Sequence, residues 1–228
     1  MRLLIAAFAA IRTYFEARAL AKQQRIEKRR RARASARKSR DKKRALALKS
    51  LWLATQGEFV IADLETTGLG ADADILEIAA ILVDSDGEIQ AEYSTLIKVR
   101  NVPQIITELT GITQAKVNRH GIALREAMTG FLELAGNRPV LFHNASFDTR
   151  FLRAAAAKLD LQFENATHCT LKMARTVWPN LKSHKLAHLA KVVGAKAPTH
   201  RGLDDVKATL RVLLAARERT QQPLLAAA

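Results

Sequence analysis

Apolar and polar residues first follow a strand-like pattern along this chain. Segment 58–64 is apolar up to a polar end and predicts a buried strand, and segment 75–83, rich in β-branched residues, predicts a second. Strong turn residues at 84–87 lead into alternating residues at 89–98, which predict a third strand. These three segments predict an antiparallel meander.

After Pro103 helical spacing replaces this pattern, with one further short apolar strand at 139–143. Helical spacing runs through Leu109, and a longer helix is predicted from about Leu124 to Leu134. The remaining predicted helices cover 148–159, 171–177, 185–193 and 204–219. Strands followed by strand–helix alternation favour one α/β domain, in which helices flank a mixed sheet.

The first 50 residues have a different character. No Gly or Pro interrupts them, and four large apolar residues recur at helical spacing along one face, namely Leu4, Phe8, Ile11 and Phe15. From 22 to 44 this stripe fades and Lys and Arg occupy every face. We therefore expect a basic helical arm at 1–50, the folded domain at 51–222 and a short tail at 223–228.

Charge separates the arm from the rest of the chain. The 228 residues carry a formal net charge of +15. Residues 1–50 hold 17 basic and 3 acidic side chains, so residues 51–228 are near neutral. The composition excludes a wholly disordered or fibrous chain. The arm is expected to bind nucleic acid, a membrane surface, or a polymerase or other protein partner, and the alternative is a solvated charge run.

Cysteine content and hydropathy indicate the compartment. The single cysteine, Cys169, excludes an intramolecular disulfide framework and fits a reducing environment. No apolar run of eighteen residues exists, so we expect no transmembrane segment. Segment 3–11 resembles the core of a secretory signal, but dense positive charge follows it and argues against that interpretation. We expect a cytoplasmic protein.

Four acidic residues lie where predicted elements begin or end. Asp63 and Glu65 are two apart at the end of the first strand, and this spacing points both carboxylates to one side of an extended chain. Asp148 opens a predicted helix and Asp205 lies at the start of the last one, where either residue alone could be a helix cap. Together the four oxygen donors favour Mg²⁺ or Mn²⁺ over Zn²⁺. They suit two-metal phosphodiester hydrolysis, with ions about 3.5–4 Å apart.

Three ordered motifs make the chain similar to a known family. Residues 63–68 (DLETTG), 143–148 (HNASFD) and 200–205 (HRGLDD) resemble the three exonuclease motifs of the DnaQ-like (DEDD) 3′→5′ exonucleases. Residues 109–113 and 169–171 match that family's connecting motifs. The resemblance covers roughly 57–219 and in motif wording is nearest to the proofreading epsilon subunits of bacterial DNA polymerase III. It implies an RNase H-like fold.

The resemblance also implies roles for the residues of these motifs. Asp63, Glu65 and Asp205 would bind the metal ion that holds the attacking water, Asp63 would bridge to a second ion, and Asp148 would support that ion. His200 would be the general base, because it stands five residues before Asp205, the spacing of the histidine (DEDDh) subfamily. An imidazole with a pKa near 6.5 can accept a proton at neutral pH.

Four further residues are expected to grip the substrate. The turn of Thr66 and Thr67 can offer backbone and hydroxyl donors to the terminal nucleotide. By resemblance, Leu69 would wedge against the terminal base and Phe147 would pack against the same nucleotide, although a plain core aromatic is the alternative for Phe147. Such apolar contacts tolerate any base, as an enzyme degrading a single-stranded 3′ end requires.

The sequence therefore predicts a metal-dependent 3′→5′ exonuclease that hydrolyses DNA to nucleoside 5′-monophosphates, in proofreading or repair. An RNA-trimming exonuclease is the alternative enzyme, because no motif reads the 2′-hydroxyl. A catalytically silent nucleic-acid-binding module is the third hypothesis.

Some residues depart from the family pattern or have another interpretation. Gly202 stands where the family commonly has alanine, a change that we expect to be harmless. His143 is expected to be a hydrogen-bonding structural residue. His184 and His188 are four apart and could bind zinc, but no third ligand is evident, so a helix surface is favoured. No polymerase-binding or clamp-binding segment is recognisable at 221–228.

Overall fold

A computed structural model describes the backbone of residues 2–225 and the side chains of Arg18, Leu20 and residues 22–220. The chain divides into two compact units, Met1–Leu46 and Ala47–Ala228, and helix α1 spans Arg2–Ala54. The predicted helical arm is therefore present, and the helix ends four residues beyond the predicted boundary. The side chains of the stripe formed by Leu4, Phe8, Ile11 and Phe15 lie outside the described residues.

The second unit contains a five-stranded mixed sheet in the order β3-β2-β1-β4-β5. Its strands are β1 (Phe59–Thr66), β2 (Ile75–Val83), β3 (Ile89–Leu96), β4 (Val140–Phe142) and β5 (Thr167–Cys169). The first three pair antiparallel, whereas β4 pairs parallel to both β1 and β5. The meander and the mixed α/β sheet are thus confirmed. Strand β5, three residues long and only half-buried, carries too short a pattern to be predicted.

Seven helices surround the described sheet. They are α2 (Gln104–Thr110), α3 (Gln114–His120), α4 (Leu124–Ala135), α5 (Ala145–Leu159), α6 (Thr170–Val177), α7 (Leu186–Val192) and α8 (Gly202–Leu225). Helix α3 was not predicted as a separate element. Helix α8 continues through 223–225, where a tail was expected, and residues 226–228 lie outside the described part. Along the described chain, no helix has the length and apolar character needed to cross a membrane.

Strand β1 is apolar on both faces because both are covered by helices. Val60 and Leu64 pack into a core with α4 and α5, whereas Phe59 and Ile61 pack into a second core with α6, α7, α8 and the last turns of α1. Residues two apart in a strand point to the same face, so Asp63 lies on the face of Ile61, which α8 covers. The face of the sheet that carries the acidic residues is therefore the face that receives α8.

The different lengths of β1 and β4 explain where the site can form. Strand β4 ends at Phe142 and pairs with β1 only through Val60 and Ile61, so the last part of β1 extends beyond it. Helix α5 begins at Ala145, and Asp148 lies in its first turn rather than opening it. That first turn can therefore stand beside the free end of β1.

Candidate active site

The five predicted catalytic residues converge at the free end of β1. Oxygen atoms of Glu65 and Asp205 and a ring nitrogen of His200 all lie within 4.8 Å of one another. Asp63 lies two residues back on the same side of β1, and the charge of Asp148 is the strongest neighbouring charge acting on it. Strand β1, helix α5 and the start of α8 thus bring together residues up to 142 positions apart in the chain.

The clustered carboxylates disturb one another's ionisation. Burial raises the pKa of Glu65 to about 8, with the charge of Asp205 adding most among its neighbours. Burial also raises the pKa of Asp148 to about 7 and, together with the Asp148 and Glu65 charges, raises that of Asp63 well above its usual range. The pKa of Asp205 is raised by burial as well. Four acids with pKa values raised mainly by burial, in one place, are typical of a functional site.

A divalent cation fits this donor set. Asp63, Glu65, Asp148 and Asp205 present carboxylate oxygens, which are the ligands that Mg²⁺ and Mn²⁺ prefer. A bound cation would also favour the ionised carboxylates and so offset the burial, and at Asp63 and Glu65 the neighbouring charges, that raise their pKa values. Among the described residues, the only group of three close potential ligands is the one containing Glu65, His200 and Asp205.

His200 lies on a short loop that is tied to the start of α8. The amide of Thr199 donates to Asp205 (3.1 Å), and the Thr199 hydroxyl donates to Asp204 (2.7 Å). His200 itself is exposed and has a φ of 55°, in the left-handed region that non-glycine residues rarely adopt. This backbone conformation is held by the surrounding contacts, as is common at functional sites.

Glu77 is a site neighbour that sequence reasoning missed. It is 2% exposed and lies directly across the sheet from Glu65 in the β1–β2 register. Its carboxylate forms an ion pair with Arg201 (3.2 Å) and accepts from the amide of Gly202 (3.2 Å). A signal was available, because Glu77 is the lone charged residue of the otherwise apolar segment 75–83.

Gly202, which departs from the family pattern, is required by its packing. A Cβ atom at position 202 would lie 2.3 Å from the Cβ of Ala79 on β2. That distance is a severe overlap with a side chain that cannot move aside, so alanine does not fit here unless β2 or α8 shifts. The glycine lets α8 start directly against β2, beside Glu77.

The threonine turn uses much of its own hydrogen-bonding capacity. The Thr66 hydroxyl donates to the carbonyl of Gly68 (2.7 Å), and the Thr67 amide donates to the carbonyl of Asp74 (2.9 Å). The Thr67 hydroxyl oxygen accepts from the Asp74 amide (2.9 Å). The Thr66 hydroxyl and the Thr67 amide, two donors expected to hold the substrate, therefore stabilise the turn instead. Donation to the substrate by the Thr67 hydroxyl stays a prediction.

Leu69 and Phe147 are joined by a residue that was not predicted, Arg150. Leu69 is 80% exposed, and its carbonyl accepts from the Arg150 guanidinium (2.9 Å). The same guanidinium lies 5.7 Å from the ring centre of Phe147, which in turn packs against Phe151 at 5.1 Å. Phe147 is thus partly a core aromatic, while Leu69 is free to contact a nucleotide.

The other histidines have structural surroundings. The ring nitrogens of His143 lie 3.1 Å from the Thr170 hydroxyl and 3.1 Å from the His184 carbonyl, and burial lowers the His143 pKa to about 4. His143 is therefore a hydrogen-bonded structural residue, as predicted. His184 lies before the start of α7 and bonds to the Trp178 carbonyl (2.9 Å), so it does not share a helix with His188.

Comparison with known proteins shows that this fold belongs to an exonuclease family. The family model described as "Exonuclease" matches residues 60–213, and the chain belongs to this family, which includes the DnaQ-like exonucleases. Resemblance in sequence extends to DNA polymerase III PolC-type from Clostridium perfringens, with 38% identity over 68% of this chain and 11% of that protein. DNA polymerase III subunit epsilon from Aquifex aeolicus is 33% identical over 69% of this chain and 79% of its own length.

Solved structures share the fold. Exonuclease I of E. coli in complex with a dA16 oligonucleotide has a TM-score of 0.63 and 24% identity, covering 75% of this chain and 42% of that chain. Exonuclease X in complex with 5′ overhanging duplex DNA has a TM-score of 0.57 and 27% identity, covering 70% and 91%. The chain spans about a tenth of the length of its PolC-type relatives. The RNase H-like exonuclease fold is confirmed.

Proposed function

We propose that this protein is a divalent-metal-dependent 3′→5′ exonuclease that removes nucleoside 5′-monophosphates from single-stranded 3′ ends of DNA, in proofreading or repair. The observation that supports the proposal is the convergence of Glu65, Asp205 and His200 within 4.8 Å on an exonuclease fold. The named relatives act in DNA replication or are bound to DNA, which favours DNA over RNA. A cytoplasmic location is part of the same proposal.

The carboxylates have the role of holding two divalent ions. Asp63, Glu65 and Asp205 would hold one and Asp63 and Asp148 the other. When bound, such ions neutralise charge on the scissile phosphate and lower the pKa of the attacking water. The raised pKa values of the carboxyl groups mean that cation binding and proton loss are coupled at this site.

His200 takes a proton from the attacking water at a ring nitrogen. Because its side chain is exposed, His200 can pass that proton to solvent after each cleavage. Leu69, Phe147 and the Thr67 hydroxyl orient the terminal nucleotide so that its phosphate meets the carboxylate cluster. The products are a nucleoside 5′-monophosphate and a strand shortened by one residue.

The direct test uses one sequence as 5′-labelled single-stranded DNA, duplex DNA and RNA, each with Mg²⁺, Mn²⁺ or chelator. We expect metal-dependent laddering from the 3′ end, fastest on single-stranded DNA. Faster degradation of RNA than of DNA would show that RNA, and not DNA, is the preferred substrate. Absence of shortening in every reaction would favour the silent binding module, which a binding assay on the same oligonucleotides would then test.

The basic arm is proposed to bind the nucleic-acid backbone. Segment 22–46 contains 13 Lys and Arg against Glu27 and Asp41, and those two acids form pairs with Arg31 and Arg37. The large apolar residues of this segment are Ile26 and Leu46, so segment 22–46 by itself lacks the apolar face that a membrane-surface helix needs. A polymerase or other protein partner is the alternative occupant.

A further inference from the structure

The loop that carries His200 is anchored on both sides by acidic residues. On its N-terminal side, Thr199 donates to Asp205 and Asp204. On its C-terminal side, Arg201 reaches Glu77 through two guanidinium nitrogens at 3.2 Å and 3.4 Å. His200 lies between these anchors in a left-handed conformation, so the position of its ring depends on both.

Glu77 is built into the sheet as the rigid member of this contact. It is 2% exposed on β2, an inner strand between β3 and β1, whereas the Arg201 side chain is 41% exposed. Besides Arg201, it accepts from the Gly202 amide (3.2 Å) and the Ser94 hydroxyl (3.2 Å). A buried carboxylate is retained only with such partners. Three donors converging on one rigid acceptor fix the beginning of α8 and the preceding loop.

The position of Glu77 is costly for the carboxylate cluster. It lies opposite Glu65, and like charges directly across two strands destabilise the pair. A residue that served packing alone at this place could be apolar, as its neighbours Leu76 and Ile78 are. What a carboxylate adds at this position is the ion pair with Arg201 and the hydrogen bond from the Gly202 amide, on the loop that carries His200.

We propose that Glu77 is a positioning residue that, through Arg201 and the Gly202 amide, holds His200 against the Glu65 and Asp205 carboxylates for proton transfer. This inference rests on the proposed exonuclease function and deepens it. In this proposal Glu77 acts on proton transfer through Arg201 and the Gly202 amide. Its removal should therefore lower kcat and leave KM nearly unchanged, because a displacement of about 1 Å can cost about 10²-fold in rate.

A double-mutant cycle at saturating Mn²⁺ tests this link. Glu77→Ala is expected to lower kcat by about 10–100-fold in the protein with His200, and by less than about 3-fold in the His200→Ala background. Equal losses in the two backgrounds would overturn the proposal, because Glu77 would then act on the metal site or on folding. If Glu77→Ala does not fold, Arg201→Met replaces it in the cycle, and Arg201→Lys should restore part of kcat.

Two controls separate positioning from general stability. Arg138→Met breaks an ion pair with Glu58 before the start of β1 (2.8 Å) and should leave kcat unchanged. Gly202→Ala should lower kcat by crowding Ala79, and Ala79→Gly in the same chain should restore it. If Ala79→Gly restored stability but not kcat, the packing of position 202 against position 79 would not act on kcat by positioning the loop of His200, and this part of the proposal would be contradicted.

A measurement independent of nuclease activity is hydrogen exchange of the Gly202 amide. Its exchange should be at least about 10-fold slower in the wild-type protein than in Glu77→Ala, since one hydrogen-bond acceptor is lost. Equal exchange rates would show that Glu77 does not hold the loop, whether or not the protein degrades DNA. A protected amide in a protein without nuclease activity would instead locate the failure in the proposed function.

Discussion

The arm and the domain carry charge in opposite ways. Residues 1–46 hold 16 basic and 3 acidic side chains, whereas residues 47–228 hold 21 and 19. In the domain, a few acids lie partly or fully buried beside one another and their pKa values shift, as at half-buried Glu65. Across segment 22–46 nearly all side chains are exposed. Charge in the domain is thus concentrated by tertiary contacts, while charge in the arm is arranged only by the helical period.

That period still produces a preferred face on the arm. At 100° per residue, nine of the 13 basic side chains in segment 22–46 fall within a sector of about 140°, and Glu27 and Asp41 lie outside it. The nine are Lys22, Arg25, Arg29, Arg30, Arg33, Arg37, Arg40, Lys43 and Arg44. A face of this kind attracts a phosphate backbone at long range without any catalytic group.

The largest expected effect belongs to the carboxylate cluster of the domain. Asp63→Asn should lower turnover by more than about 10²-fold, because it removes a metal-ligating charge that no neighbour replaces. The measurement is the rate of 3′ shortening of labelled single-stranded DNA. Asp86→Asn, at an exposed turn, is the matched control and should retain full activity. Asp63→Asn protein with more than about a tenth of wild-type activity would contradict the metal assignment.

The next effect belongs to His200, which is exposed yet catalytic in this proposal. His200→Ala should lower kcat by about 10²–10⁴-fold while Mn²⁺ affinity persists, because a general base is lost and the carboxylates remain. Titration with Mn²⁺ and single-turnover rates measure the two quantities. His188→Ala on α7 should change neither. A large loss of Mn²⁺ affinity would show instead that His200 is a metal ligand.

A smaller effect is expected from the arm, and it should appear in binding rather than in kcat. Replacing four basic residues of the dense face with Gln (Arg25, Arg29, Arg33 and Arg40) should weaken binding to long single-stranded DNA. The slope of log affinity against log salt should flatten by up to about 0.7 per lost contact. The same number of changes elsewhere on the helix (Lys28, Arg31, Lys38 and Lys42) is the control and should flatten it less.

Other outcomes of that experiment identify the partner. Equal slopes for the wild type and both variants would exclude the nucleic-acid role of the arm. Loss of binding to vesicles containing anionic lipid, with an unaltered DNA slope, would indicate a membrane surface. Turnover of a short saturating oligonucleotide should stay unchanged in both variants, because the arm supplies no catalytic group.

The smallest expected effect is the pH dependence of stability without metal. Glu65 and Asp148 have folded pKa values of about 8 and about 7, above their ordinary values of 4.5 and 3.8. The folded state therefore binds protons that the unfolded state has lost, so stability should fall as pH rises from about 4 to 8. Thermal unfolding in chelator should show a melting temperature several degrees lower at pH 8 than at pH 5.

Divalent metal should reverse this trend, since a cation replaces the protons between the carboxylates. The rise in melting temperature caused by Mg²⁺ should be larger at pH 8 than at pH 5. The arm variants should show the same pH dependence as the wild type, because none of the substituted arginines and lysines belongs to the carboxylate cluster. A stability independent of pH would contradict the raised pKa values of Glu65 and Asp148.

Local pattern in the sequence determined most of the elements and the identity of the site. The alternation that predicts β1, β2 and β3 is short-range, and so is the spacing of Asp63 and Glu65 that puts two carboxylates on one side of a strand. The order of three motifs was enough to name the family, which the exonuclease match over 60–213 confirms. Each of these features depends on residues close together in the chain.

Only the tertiary structure decided how the site is held. Glu77 and Arg201 are 124 residues apart, and no local pattern pairs them. The overlap that makes Gly202 necessary involves Ala79 on another element, and the Thr66 hydroxyl is used by its own turn in a geometry that composition does not specify. Periodicity reports which face of an element is buried. Contacts between elements, which depend on the packing of α8 against β2, determine what each buried group bonds to.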